Sequence, residues 1–458
     1  MMNRKRAMRI VLAGCILMSM LAGCGNADHS VAGDADHSAA GDAGVSSAPA
    51  TGETASGDKI HIEYLNGAGE LEAFWEDFFA TYNEENEDNI EVEVLYNDDA
   101  AQALQVMMAS GDVPDLITTD VTQEMFDEGK FVEIGDMAFW SDLYPEMKEY
   151  STNPKTEGTF YAPLLTTTVG MYYNKDMFDA LDLSPAYTWD EFVENLRAIK
   201  AAYPDVTPFY IAGYDAWTLG HMVEFVTLGK SKQELSVKDQ KNAMVNSDFE
   251  VLGWNDSPGG ELAMFAQRLQ QLLDEGLMNP DVTTDSYDMQ NQAFVDGKVG
   301  VISAGLWTAT ELSALTQDTS FVGFSQYPAI VDGTKATVGS SMDCCLLISS
   351  ESENVEACKK VLEYLYLPEN MAAVSIAKQS PSANPSVETK WGYLQEDVGR
   401  VLNDDDVAKL TWTVGSFPTG FGNDDNGRVV QEMLAGAWDT PEEFAAAWLQ
   451  AWQDGQSE

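Results

Sequence analysis

Catalysis at neutral pH calls for a histidine, an activated thiol or hydroxyl, a metal cluster or a tuned pair of carboxylates. The 458-residue sequence supplies these unevenly. Of its four histidines, His29 and His37 lie in an Ala, Gly, Asp and Ser tract that nearly repeats (ADHSVAGD, then ADHSAAGD), and they read as solvated spacers rather than clustered metal ligands. That leaves His61 and His221, with no HExxH, no CxxC pair, no GxSxG elbow and no phosphate loop. The 75 acidic residues guarantee carboxylate pairs by chance, so a secreted polysaccharide hydrolase stands as an alternative that only geometry decides. Aromatic and polar residues at strand ends form a more directed pattern. A sugar offers apolar C–H faces and a rim of hydroxyls, so its cleft needs flat rings plus Asp, Glu and Asn. Trp307, just after Gly305 in VISAGLW, leads the candidates; Asn66 and Glu70 in NGAGEL, Asp120 closing LITTD, Tyr214, Asp215 and Trp217 in GYDAW, and Asp343, Trp412 and Phe417 follow. Turn chemistry competes for Asn66, Glu70 and Asp120, and core packing competes for the aromatics.

These residues need strands to deliver them. Ile60, Ile62 and Tyr64 alternate with polar residues, Leu71 to Tyr82 repeats at helical spacing, and Ile90, Val92 and Val94 alternate again, which predicts a βαβ unit. A helix over 100–110 stopped by Gly111 and a third strand at Leu116-Ile117 continue it. Ligands in open α/β sheets bind beyond the carboxyl ends of strands, which singles out 66–70 and Asp120. Gly158 to Asp176 reads as a long crossing strand, with Gly170 marking a close backbone approach. Further on, Thr188-Trp189-Asp190-Glu191 predicts a capping box, 208–212 a strand delivering Tyr214 to Trp217, 299–303 a strand leading to Trp307, 339–349 a buried strand, and Thr440-Pro441-Glu442-Glu443 a second capping box.

Residues 1–23 read as a signal segment with a basic start and a short apolar run, and Leu21-Ala22-Gly23-Cys24 resembles the lipobox of bacterial lipoproteins, which makes Cys24 a lipidation site. Residues 24–57 are too poor in apolar side chains to fold and read as an acidic tether. The remaining length exceeds what one core holds, so two lobes are expected. A formal net charge of −50 argues against nucleic acid as a partner and disfavours anionic ligands. Cys344, Cys345 and Cys358 fit small core residues better than a disulfide scaffold.

YAP followed by TTVGMYYNKDMFDAL, together with ASGDVPDLI, TWDEFVENLRAIK and AFVDGKVGVISAGLW in that order, resembles the extracellular solute-binding proteins of ABC importers, in particular the carbohydrate group that includes maltose-binding protein. The resemblance spans most of residues 58–458. It implies an α/β, two-lobed periplasmic-binding-protein-like fold (type II) with three crossings, near 166–170, 335–339 and 371–379. The lobes would then be 58–168 plus 336–372 and 169–335 plus 373–458. It further implies a stacking role for Trp307 in the family's G-x-W motif and an oligosaccharide ligand. The receptor would be monomeric, lipid-anchored through Cys24 outside the cytoplasmic membrane of a monoderm bacterium, and would serve a permease without cofactor, resident metal or catalysis. Thr167 and Thr168 stand where maltose-binding proteins place a ligand carboxylate, and NGAGEL lacks their lysine, so the ligand is not expected to be maltose. Polyamine or peptide binding, with Glu70, Asp120, Asp215 and Asp343 used differently, and a surface adhesin remain as alternatives.

Overall fold

The computed structural model describes residues 59–456 except 98, 225–228, 412–416 and 419–420. The signal segment, the tether, Cys24 and Trp412 lie outside the described residues.

Parallel strands β1 (Ile60–Asn66), β2 (Ile90–Tyr96) and β3 (Leu116–Thr118) build the first lobe, with β1 in the middle. The helix Glu72–Glu85 follows β1 and buries Trp75, Phe79 and Tyr82, residues spaced to share one helical face. The helix Ala100–Ser110 begins where the Asp99 carboxylate accepts from Gln102 N–H and stops at Gly111, whose φ of 78° is a left-handed cap.

Two thirteen-residue strands join the lobes: β4 (Ala162–Asn174) and β8 (Ala336–Ile348), with β5 (Thr207–Tyr210), β6 (Val299–Gly305) and β7 (Val322–Ser325) between them in the chain. The sheet path runs β2-β1-β3-β8-β4-β6-β5, with β7 on β4 and β9 (Val407–Leu410) on β8. The far end of β8 pairs with β3 and its near end with β9, while Ala162–Val169 of β4 pairs with β8 and Val169–Tyr173 with β6. Each long strand therefore passes through both lobes. Gly170 shows the expected close approach: a Cβ there would sit 2.3 Å from the Ser325 carbonyl oxygen.

The cores follow the same division. Leu164, Leu165, Leu346 and Ile348 pack with Trp75 and Phe79, whereas Val169 and Met171 join Trp189, Trp448 and Trp452. The core thus changes between Leu165 and Val169, and again between Val338 and Cys344. The third change differs from the 371–379 expected: Met371, Val374, Ala383 and the partly buried Val387 all pack in the first core, and Trp391 is the first residue in the second lobe's. The helix Pro368–Lys378 presents apolar residues to the first lobe, and it stays there for that reason.

The Thr188 capping box is present: the hydroxyl accepts from Glu191 N–H at 3.3 Å, and the Glu191 carboxylate accepts from the N–H groups of Thr188 and Tyr187, both at 3.0 Å. Thr440 caps its helix at 3.2 Å, but Glu443 accepts from Asp439 N–H, one residue earlier than the box requires. Cys344, Cys345 and Cys358 are free thiols, and Cys344 has φ 49°, which breaks the simple alternation expected of adjacent strand residues.

Candidate functional site

The registers aim strand ends at the crossing. β3 ends at Thr118, whose hydroxyl donates to the Cys345 carbonyl of β8, and β6 ends at Gly305 opposite Val169 of β4. The carboxyl ends of β3 and β6 therefore reach the same pair of strands from opposite lobes, and β5 runs parallel to β6 beside it. Sheets of this kind bind ligands at that edge.

On the second-lobe side three helices begin with rings. Trp217 is the second residue of Ala216–Met222, Tyr287 opens Tyr287–Val295 and Trp307 opens Trp307–Leu315. The rings meet edge to face. Trp217 lies 5.0 Å from Tyr287 and 6.1 Å from Trp307 between centroids, and His221 lies 5.4 Å from each tryptophan. Trp217, Tyr287 and Trp307 are half-buried while His221 is buried, so the cluster has a dry back and an open front. Gly305 makes room for it, since a Cβ there would lie 2.1 Å from the Trp307 ring, and its carbonyl accepts from Tyr172 Oη at 2.9 Å.

Polar bonds fix the rings. The Asp215 carboxylate accepts from Tyr287 N–H at 2.6 Å, Tyr287 Oη lies 2.6 Å from Thr308 Oγ1, and Asn291 Nδ2 donates to Glu311 at 2.8 Å. Burial first, and the Asp288 charge second, push the Glu311 carboxyl up to about 7. Burial pulls the His221 imidazole down to about 3, so it is neutral at physiological pH. The helix 423–434 closes the wall: a Cβ on Gly427 would lie 1.7 Å from the Ala216 carbonyl oxygen, and Asn426 Nδ2 donates to the Gly220 carbonyl at 3.2 Å. Asp424 on that helix is exposed and feels the Asp215 charge. On the first-lobe side Asp120 is open to solvent beyond β3. The surrounding protein, and then the Asp424 charge, push its carboxyl up.

The remaining candidates divide. Asn66 is buried and its amide is used by its own turn, donating to the Ala68 carbonyl and accepting from Ala68 N–H, both at 3.0 Å. Glu70 forms an ion pair with Lys378, which is 5% exposed. Phe417 is buried against Phe421 and Trp452 in the second core, so packing claims it. Tyr214 is 64% exposed and meets no other ring among the described residues. Asp343 lies on β8 with one carboxylate oxygen accepting from Cys344 N–H at 2.7 Å and the other buried without a partner; burial pushes it up to about 6. An open depression of about 430 Å³ beside residues 381–395, lined by Tyr144, Asn384, Lys390 and Trp391, lies apart from the rings.

A family model described as bacterial extracellular solute-binding protein matches residues 67–372. The chain belongs to that family. It is 29% identical over 350 residues to the multiple sugar-binding protein of Streptococcus mutans, covering 74% of this chain and 79% of that one. It is 23% identical over 305 residues to the melibiose/raffinose/stachyose-binding protein MelE of Bacillus subtilis, covering 65% and 68%. The fold matches a binding protein of Bacillus subtilis in an open conformation with a TM-score of 0.71 at 19% identity, over 87% of this chain and 98% of that one. A Bacillus licheniformis sugar transporter in complex with stachyose matches at 0.69 and 20%, over 87% and 100%. The two-lobed α/β fold expected of a solute-binding protein is therefore established, and the family is one of secreted or surface-located binding proteins.

Sequence reasoning missed three members of this solute-binding protein's candidate site: Tyr287, Glu311 and Asp424. Tyr287 carried a signal, because Ser286-Tyr287 repeats the arrangement of a ring at a helix start seen at Trp217 and Trp307. Glu311 is one turn beyond Trp307 on the same helix. Asp424 carried none, since only the packing of 423–434 on 216–222 brings it to the cleft.

Proposed function

We propose that the protein captures a carbohydrate, of oligosaccharide size, between its lobes and delivers it to an ABC importer. The observation that carries this reading is the half-buried ring cluster of Trp217, Tyr287 and Trp307 at the strand ends of a fold whose relatives bear sugar-binding names. Rings stack on sugar C–H faces while Asp120 and Asp424 accept from hydroxyls. Because ligand would touch both walls only in a closed cleft, binding shifts the lobes toward closure. Asp343, Tyr214 and Trp412 remain candidate contacts in this reading, and no residue is assigned a catalytic role. The chain acts as a monomer held at the membrane by a lipid on Cys24, and loss of palmitate labelling in Cys24→Ala tests that anchor.

The test of ligand class is thermal unfolding of the full-length protein against raffinose, stachyose, maltotriose, monosaccharides, spermidine and short peptides. A ligand at a hundredfold its Kd stabilises the native state by about 2.7 kcal/mol. A shift confined to sugars and lost in Trp307→Ala supports the proposal. A shift with spermidine or peptide alone replaces the ligand class, and release of reducing ends from a glycan would make the protein a hydrolase.

A further inference from the structure

Trp307, Thr310 and Ser313 recur every third residue along one face of the helix Trp307–Leu315, all half-buried, while Thr308, Ala309 and Leu312 are buried behind them. The row meets the first lobe. Thr310 Oγ1 donates to the Lys378 carbonyl at 3.3 Å, and Gln379 Nε2 donates to Ser313 Oγ at 3.2 Å, which in turn donates to the Ala309 carbonyl at 2.9 Å. Lys378 and Gln379 close the helix Pro368–Lys378, whose apolar face packs in the first core, and the Lys378 amine is paired with Glu70 in the turn after β1. The ring-bearing helix of one lobe is thus hydrogen-bonded to a helix end of the other. Gln379 holds its place against backbone preference: φ 53° and ψ 45° are left-handed, the conformation in which glycine ends helices without a Cβ clash. Gly392 leaves room for it, since a Cβ there would lie 3.1 Å from Gln379 Cβ. A non-glycine residue kept in that conformation points to a use for its side chain, and the bond to Ser313 is that use.

Building on the receptor reading above, we infer that Gln379 and Ser313 are positioning residues for sugar stacking: their bond between the lobes, with that of Thr310 to Lys378, sets where Trp307 stands relative to the first lobe. A sugar stacked on Trp307 and held by the first lobe needs the two surfaces at a fixed separation. A binding group displaced by a fraction of an ångström loses affinity even when every contacting side chain is kept. Neither Gln379 nor Ser313 has to touch the sugar for this, because both act through the helix that Trp307 opens. The Lys378–Glu70 pair extends the same linkage to the carboxyl end of β1, so the ring is referenced to a strand of the opposite lobe.

The experiment is calorimetric titration of the full-length protein and its variants with raffinose, stachyose and maltotriose, alongside thermal unfolding. Gln379→Gly keeps the left-handed backbone and deletes the amide, so its Tm is expected at or above that of wild type while sugar affinity falls about threefold to tenfold, the scale of one net hydrogen bond. Gln379→Asn also tolerates that backbone but ends a methylene short of Ser313, and it repeats the loss if the glycine variant folds poorly. Ser313→Ala weakens binding to the same degree, and adding it to Gln379→Gly brings no further loss, as expected of two ends of one bond. In a Trp307→Ala background Gln379→Gly has no effect on affinity, because the ring through which it acts is gone. Binding by both Gln379 variants within about twofold of wild type, or a loss that persists in the Trp307→Ala background, overturns the inference while the receptor reading stands. Wild-type protein that binds none of these sugars overturns both.

Discussion

Trp307 stands edge-on to Trp217, with ring centroids 6.1 Å apart and planes at 63°, although the two rings sit on different helices. The pair is held from outside by Gly305, where a Cβ would collide with the Trp307 ring at 2.1 Å. Gly305→Ala should therefore act like a ring substitution without removing a ring. Trp307→Ala and Gly305→Ala are both expected to weaken sugar binding by 2 kcal/mol or more, about 30-fold, the scale of a buried aromatic hot spot. Calorimetry checks the affinity and far-UV circular dichroism checks that the fold is kept. Gly305→Ala binding within threefold of wild type would show that the ring can move without loss.

Lys241 on the second lobe reaches the end of the helix Pro145–Ser151 on the first, donating to the Tyr150 carbonyl at 2.8 Å and the Thr152 carbonyl at 3.5 Å. Burial pulls its amine down to about 8, so it stays mostly charged at neutral pH. Removing the donor with Lys241→Met should weaken the contact between lobes and lower the population able to bind. Apparent affinity scales with that population, and a three- to tenfold loss corresponds to about 1 kcal/mol of lobe contact. Small-angle scattering of the free protein is expected to show a larger radius of gyration in the variant. An unchanged radius together with an unchanged Kd would mean that the bond is incidental.

Buried Lys378 pairs with partly exposed Glu70, and the Lys378 carbonyl accepts from Thr310 Oγ1 of the Trp307 helix at 3.3 Å. Burial pulls the Lys378 amine down to about 7, and the Glu70 carboxylate is its ion-pair partner. Lys378→Met leaves Glu70 without its partner and should cost up to about 3–5 kcal/mol, whereas Lys378→Met with Glu70→Gln should recover most of it. Urea unfolding of the single and double variants measures this. A double variant as unstable as the single would locate the loss in packing rather than charge.

Much of the scaffold was legible because local chemistry and tertiary packing agree there. Ile60, Ile62 and Tyr64 alternate as β1 requires, Gly111 takes the left-handed cap, and Thr188 forms its box with Glu191. The site was only half legible. Trp307 and Trp217 follow strand ends, and the carboxyl-end rule finds such positions. Asn66 follows one too, yet its amide is consumed by a turn, a choice that depends on the geometry of two backbone atoms. Glu70 was lost to Lys378, which is far away in the chain, and no spacing rule anticipates an ion pair between a turn and the end of a distant helix. The third crossing was misplaced for a similar reason: only burial shows that the helix Pro368–Lys378 belongs to the first core.

Glu311 gives the site a pH signature. Its carboxyl is raised from an ordinary 4.5 to about 7, chiefly by burial behind the ring cluster. Between these values the native state holds a proton that the unfolded chain releases, so this contribution to stability is complete below 4.5 and is lost as pH rises through 7. His221 acts in the opposite sense, because its lowered value makes the native state refuse a proton the unfolded chain accepts, and its contribution is lost as pH falls from 6.5 towards 3. Comparing variants separates them. Glu311→Gln mimics the protonated carboxyl, so its Tm should match wild type near pH 4.5, exceed it increasingly up to pH 7, and keep a constant advantage above pH 8. Thermal unfolding at half-unit pH steps reads this difference directly. A Tm gap that is flat across the range would mean that Glu311 titrates normally, and that water reaches the carboxylate behind Tyr287.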